Sequence, residues 1–243
     1  MENEMSKIKR TEYLRADARG ALEGNYSAVI PSHILFLVLK AFLLYGSGGF
    51  INTLSSVGSF LIAEVITYLS MIIVEVLNFG LNAIYLKMVC RHKFGSMDIF
   101  MGFKKEYKNV AGIAIFFATV QFLCALPYEI LSMFSLKSEN MILFSITMLS
   151  LAVGIVVSYV IRLHYSQAYF VLLDFPNKTA KEALSMSKWL MKGSLVRRFY
   201  LEVGFVPLYL LSVFTCGLGM IWLFPYLHTT FVEFYLNLTD AKS

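Results

Sequence analysis

The stretch from Ser59 to Val89 carries three charged side chains, Glu64, Glu75 and Lys87, and is otherwise mostly apolar. As one helix it is roughly 45 Å long, more than the ~30 Å hydrocarbon core of a bilayer. A small soluble domain has no interior deep enough to hide such a run. The rest of the chain agrees. Of 243 residues, 58% are hydrophobic and 15% are charged, where soluble proteins carry about 25% charge. Mean hydropathy is +0.66. These values exclude a secreted disulfide scaffold, a disordered chain and an ordinary soluble enzyme, and leave a polytopic membrane protein.

The pattern predicts an all-α fold: a polytopic transmembrane helical bundle of about six spans. The first is about Ala28–Tyr45, with Pro31 in its first turn. The second is Ser59–Val89, long enough that it must tilt or project beyond the bilayer. The third, Val110–Ser132, bends at Pro127. The fourth runs from Met141 to Ile161, and its helix can continue to Leu173. The fifth, Phe199–Phe214, is short and carries Pro207; the sixth, Met220–Leu238, carries Pro225. On this reading residues 1–27 are a cytoplasmic amphipathic segment, 28–238 one transmembrane domain and 239–243 a short cytoplasmic tail.

Positive charge sets the orientation. Lys7, Lys9, Arg10, Arg15 and Arg19 precede the first span. Six basic residues lie in 87–108 and seven in 162–200. The alternate loops are nearly bare: 46–58 and 215–219 carry no charge, and 135–140 carries Lys137 and Glu139. Both termini are expected on the cytoplasmic side. Residues 1–27 hold ten charges and no apolar core of a leader, so no cleaved signal peptide is expected. The net charge of +5 follows this loop pattern and is not a nucleic-acid footprint, for no recognition motif accompanies it.

Each cytoplasmic segment ends alike. An amphipathic stretch leads to a glycine (Gly24, Gly102, Gly193), then a few polar or basic residues, then a membrane helix. The chain so divides into three hairpin units, about 28–90, 110–173 and 199–238. Thr179 and Glu182 have capping-box spacing, marking a helix start. Along that helix Lys181, Lys188 and Lys192 edge an apolar stripe, as in a helix lying at headgroup level. Together with Arg197 and Arg198 they are candidate membrane-surface contacts.

No catalytic motif is present, and Cys90, Cys124 and Cys216 match no metal or redox spacing, so no cofactor and no metal is expected. The second helix holds the residues most in need of a reason. Glu64 and Glu75 are three turns apart on one face, extended by Asn78 and Asn82. A carboxylate inside a span is costly and marks a site or a helix-joining polar contact. Arg162 is either an anchor reaching toward the headgroups or the partner of a carboxylate across the bundle; Glu202, at similar depth on the fifth helix, is the partner that depth suggests. Lys40 is expected to reach outward to the interface.

A family resemblance is carried by several blocks in order. Tyr169-Phe170-Val171-Leu172-Leu173-Asp174-Phe175-Pro176 leads into Ala180-Lys181-Glu182-Ala183-Leu184, Ser187-Lys188 and Leu190-Met191-Lys192-Gly193. Arg197, Phe199, Gly217-Leu218-Gly219, Trp222 and Pro225-Tyr226 follow. Ala16, Ala18, Ala21, Leu22, Gly24 and Asn25 near the start, and Asp98-Ile99-Phe100 with Gly102-Phe103, add to it. The chain resembles the bacterial integral membrane proteins catalogued as domain of unknown function 975. It departs from their pattern at Phe175, where members carry Asn, and at Val196, where they often carry Trp. The resemblance implies a polytopic protein of the bacterial plasma membrane and no catalytic residues.

Two functions fit these residues. One is a non-enzymatic membrane protein acting through the lipid bilayer or a membrane protein partner. The other is a small transporter or channel for an ion, proton or small solute, using the polar face of the second helix.

Overall fold

A computed structural model describes residues 9–51, 57–104, 108–135 and 140–242. Lys7, Lys105, Lys137, Glu139 and residues 52–56 of the bare loop after the first span lie outside the described residues. The described chain is all helical. In order it forms α1 (Thr11–Leu22), α2 (Tyr26–Ile51), α3 (Val57–Val89), a 3₁₀ segment (Ser96–Phe103), α4 (Val110–Ser135), α5 (Met141–His164), α6 (Ala168–Asp174), α7 (Ala180–Met191), α8 (Leu195–Val203), α9 (Val206–Phe214) and α10 (Met220–Lys242).

Four segments are long and apolar enough to cross a membrane: Tyr26–Leu44, Phe60–Val89, Val110–Ser135 and Met141–Asp174. Six were expected, and the difference has two causes. The fifth expected span is divided at Gly204-Phe205 into α8 and α9, nine residues each. At 1.5 Å per residue neither half reaches across a ~30 Å core. The sixth, α10, is 23 residues long, but His228, Thr229, Thr230, Glu233 and Asn237 lower its hydropathy, and Thr229, Thr230 and Asn237 are buried in protein. The first span also begins two residues earlier than expected, so Pro31 lies inside the helix.

The helix starts follow local chemistry. Asn140 caps α5, its side chain accepting the N–H groups of Ile142 and Leu143 at 2.9 and 3.4 Å. Thr179 and Glu182 form the expected capping box on α7. The hydrogen bonds from Thr179 to the Glu182 carboxylate hold its pKa below the ordinary value.

The amphipathic stretches turn their apolar faces toward the bundle. Leu14, Ala18 and Leu22 of α1 are fully buried, and α1 packs on α10. On α7 the buried face is Ala183, Ser187, Leu190 and Met191, packed on α4, α5, α6 and α10. The apolar stripe read as a lipid-facing feature is thus spent on protein contacts. The basic edge remains outside: Lys181, Lys188 and Lys192 are exposed, as is Trp189 between them.

Two turns share one geometry. After α1, Glu23 has φ −60° and ψ 122° and Gly24 has φ +79°; after α7, Lys192 has φ −60° and ψ 120° and Gly193 has φ +83°. Each is closed by an N–H to carbonyl bond of 2.9 Å, from Asn25 to Leu22 and from Ser194 to Met191. These are type II turns, which put glycine where φ is positive. The middle segment differs, ending in a 3₁₀ helix pressed onto α3. A Cβ on Gly80 would lie 2.0 Å from the Ile99 carbonyl oxygen.

Candidate functional site: a polar cleft at Glu75 and Arg162

Glu75 stands midway along α3 and is 6% exposed. Three donors reach its carboxylate. Arg162 Nη2 lies 2.6 Å from Oε1. The Tyr169 hydroxyl lies 2.9 Å from Oε2, and the Asn78 amide, one turn along α3, 3.5 Å. Taking an ion pair out of water costs several kcal/mol per ion, and only good geometry with further hydrogen bonds offsets it. Glu75 has both.

Arg162 comes from the last turn of α5 and Tyr169 from α6, across the break at Tyr165–Gln167. Arg162 also donates to Gln121 Oε1 on α4 at 3.5 Å and lies 5.0 Å above the Phe117 ring. Its partner is therefore Glu75, 87 positions away, and not Glu202. Depth along the membrane suggested Glu202; the packing of α5 on α4, and of α4 and α6 on α3, decides otherwise. The Arg162 side chain keeps 42% exposure and lines a cleft on both sides.

That cleft has two chambers. The first, about 550 Å³, is bordered by Lys40, Glu75, Asn78, Gln121, Ser158 and Arg162, with apolar residues of α2 to α5. Lys40 stands at its border and is exposed. The second, about 340 Å³, is bordered by Asn78, Asn82, Arg162, Ser166, Arg198, Glu202 and Tyr209 among others. Asn78, Phe117, Tyr159, Arg162 and His228 belong to both walls. The Glu75–Arg162 pair so stands between the chambers.

A second pair closes the far side. Arg198 Nη2 lies 3.1 Å from Glu202 Oε1, and the Tyr159 hydroxyl donates to Glu202 Oε2 at 2.5 Å. Arg198 was expected on the membrane surface. It is instead 5% exposed, with its guanidinium 3.3 Å above the centroid of Phe231. Its Nε and Nη1 are buried without a hydrogen-bond partner. Arg197 also leaves the surface set: it donates to Asn237 Oδ1 at 2.6 Å and to the Lys9 carbonyl.

Glu64 borders neither chamber. It interacts with Glu129 of α4 nearer the other end of α3, and one carboxylate oxygen of each is buried without a partner. Of the polar face read on α3, Glu75, Asn78 and Asn82 belong to the cleft and Glu64 does not. Tyr159, Tyr169 and His228 are cleft residues that the sequence did not single out. A buried tyrosine hydroxyl seeks a partner; that was the available signal for Tyr169, set in the apolar run 168–172. Among the described residues no group of three His, Cys, Asp or Glu side chains is placed to hold a metal ion.

Comparison with known proteins gives one match. The model of a family described as protein of unknown function (DUF975) matches residues 5–242. The chain belongs to that family. No curated protein and no solved structure matches it.

Proposed function

For this member of the DUF975 family we propose a multi-pass protein of the bacterial cytoplasmic membrane that works by binding a ligand in the Glu75–Arg162 cleft, without covalent chemistry. The observation that carries this reading is a buried carboxylate, held by three donors and paired with a partly exposed arginine, bordering a roomy polar cleft among apolar helices. Ionisable groups in a span are rare and mark binding sites or pathways. The four long apolar helices support the multi-pass assignment. In this reading α8–α9 and α10 complete six crossings, the break at Gly204 being covered by protein. The loop charges place both termini in the cytoplasm, and the partner is the bilayer, with no role for nucleic acid.

Mass spectrometry of the protein extracted into polymer nanodiscs tests the binding reading. A stoichiometric lipid or solute kept by the wild type and lost from the Glu75→Gln/Arg162→Met pair supports it. A ligand kept equally by both forms overturns it. Lys181→Cys should react with an impermeant maleimide only when the cytoplasmic face is open.

Transport is the second reading, favoured because the ion pair stands between two chambers with a common wall. Flux of a retained solute in proteoliposomes, abolished by Glu75→Gln, would establish it.

A further inference from the structure

We propose that the second chamber holds the phosphate of an anionic phospholipid of the inner leaflet, with an acyl chain in the apolar groove between α5 and α8. This deepens the binding reading above and rests on it.

The first argument is the state of Arg198. A guanidinium has five N–H donors, no acceptor, and a charge it does not give up. Here it is 5% exposed, and its ion pair with Glu202 engages Nη2 alone. Nε and Nη1 have no partner. Leaving buried donors unpaired is costly, more so when the group is charged. Arg198 borders the second chamber, so an acceptor there can relieve it once the guanidinium turns off the Phe231 ring. His228 borders the same chamber, and its Nδ1 is also unpaired. Nη1 stands beside Nη2, so an anionic oxygen in the chamber can take Nη1 while Glu202 keeps Nη2.

The groove says what is attached to the phosphate. It is about 490 Å³ and is bordered by Ile155, Val156, Val160, Leu195, Val196 and Phe199. Tyr159 and Leu163 border both groove and chamber, so the apolar and charged spaces adjoin. Along α5 the groove residues run from Ile155 to His164, ~14 Å of helix. The charged chamber is reached at the Arg162 end, beside the basic segment assigned to the cytoplasm. An inner-leaflet lipid has the same polarity: phosphate at the cytoplasmic end, chain toward the bilayer centre. A free anion would account for Arg198 and leave the groove unused.

The test uses the full chain in nanodiscs of phosphatidylglycerol and phosphatidylcholine at equal parts, released for native mass spectrometry. The wild type should retain one phosphatidylglycerol per chain. Arg198→Met and the groove-filling Val160→Trp should each lower that occupancy at least tenfold. Arg198→Lys, which keeps the charge but not the planar set of donors, guards against misfolding and should lower it by a smaller factor. Retention unaffected by Val160→Trp overturns the groove assignment. Equal retention of the two lipids overturns the phosphate assignment. Protection of the detergent-purified protein by inorganic phosphate, dependent on Arg198, with no lipid retained, replaces the lipid with a soluble anion. If another ligand is retained through Glu75 and Arg162 while Arg198→Met changes nothing, this inference fails and the cleft reading stands.

Discussion

Glu75 and Arg162, 87 residues apart in sequence, meet at 2.6 Å in the middle of the bundle. The contact joins α3 to the end of α5, and α6 adds the Tyr169 hydroxyl to the same carboxylate. Arg162→Met leaves the Glu75 carboxylate buried and uncompensated, which costs about 3–5 kcal/mol, and Glu75→Gln strands a partly exposed Arg162 at a smaller cost. Arg162→Met alone should therefore lower the thermal midpoint in detergent well beyond an average substitution, and Glu75→Gln by less. The double variant should be less destabilised than the sum of the singles, because the stranded charge is gone. Strict additivity in that cycle would mean the pair is not coupled.

Tyr169→Phe should cost far less. Hydrogen bonds between membrane helices average about 0.6 kcal/mol in double-mutant cycles, and Glu75 keeps its salt bridge. Unfolding measurements on the same footing should rank Tyr169→Phe well below Arg162→Met. Equal losses would show that the hydroxyl, and not the charge pair, organises the site.

Close packing separates two neighbouring glycines. A Cβ on Gly80 meets the Ile99 carbonyl oxygen at 2.0 Å, whereas one on Gly95 meets nothing within 4 Å. Overpacking costs typically about 1–3 kcal/mol. Gly80→Ala should lose at least that much stability, since the obstacle is backbone, and Gly95→Ala should be close to neutral. Size-exclusion profiles before and after heating would separate the two.

The ion pair of Lys87 and Asp98, at 2.8 Å, adds a pH dependence. Partial burial raises the Asp98 pKa, but the Lys87 ammonium and the Gly95 N–H outweigh it and leave the carboxyl below its ordinary value. Its contribution is complete above the unfolded pKa, roughly 4, and is lost as pH falls through the lower folded value. Asp98→Asn should cost about 0.5–1 kcal/mol at neutral pH, as for a pair partly open to solvent, and should flatten the stability profile below pH ~4. An unchanged acid slope would assign that slope to other carboxylates.

Much of this was legible in the sequence, and the remainder was not, for one physical reason. Periodicity and charge placement report what a helix segment does to its own surroundings. They located α2 to α5 and the cap at Thr179. Partner choice depends on how helices cross, which no single segment records. Arg162 was recognised as a possible ion-pair partner and given the wrong carboxylate. Arg198, one residue from an exposed Phe199, reads as a surface cation until α8 is packed on α10. The break at Gly204 was hidden for a related reason: the Arg15 guanidinium occupies the space where a Cβ would stand, 1.6 Å from Nη2, and donates to the Leu201 carbonyl at 3.0 Å. A residue at position 15 so passes beneath a helix that begins 180 residues later.

The docking of α1 on α10 bears on how the protein is made. Leu14, Ala18 and Leu22 are buried with α10 packed against α1, and the Lys9 backbone N–H donates to Asn237. More than 190 residues separate α1 from that partner. Until α10 is made, the apolar face of α1 has the membrane surface or a chaperone as its cover, and a chain halted before α10 would leave much of that face on display to quality control.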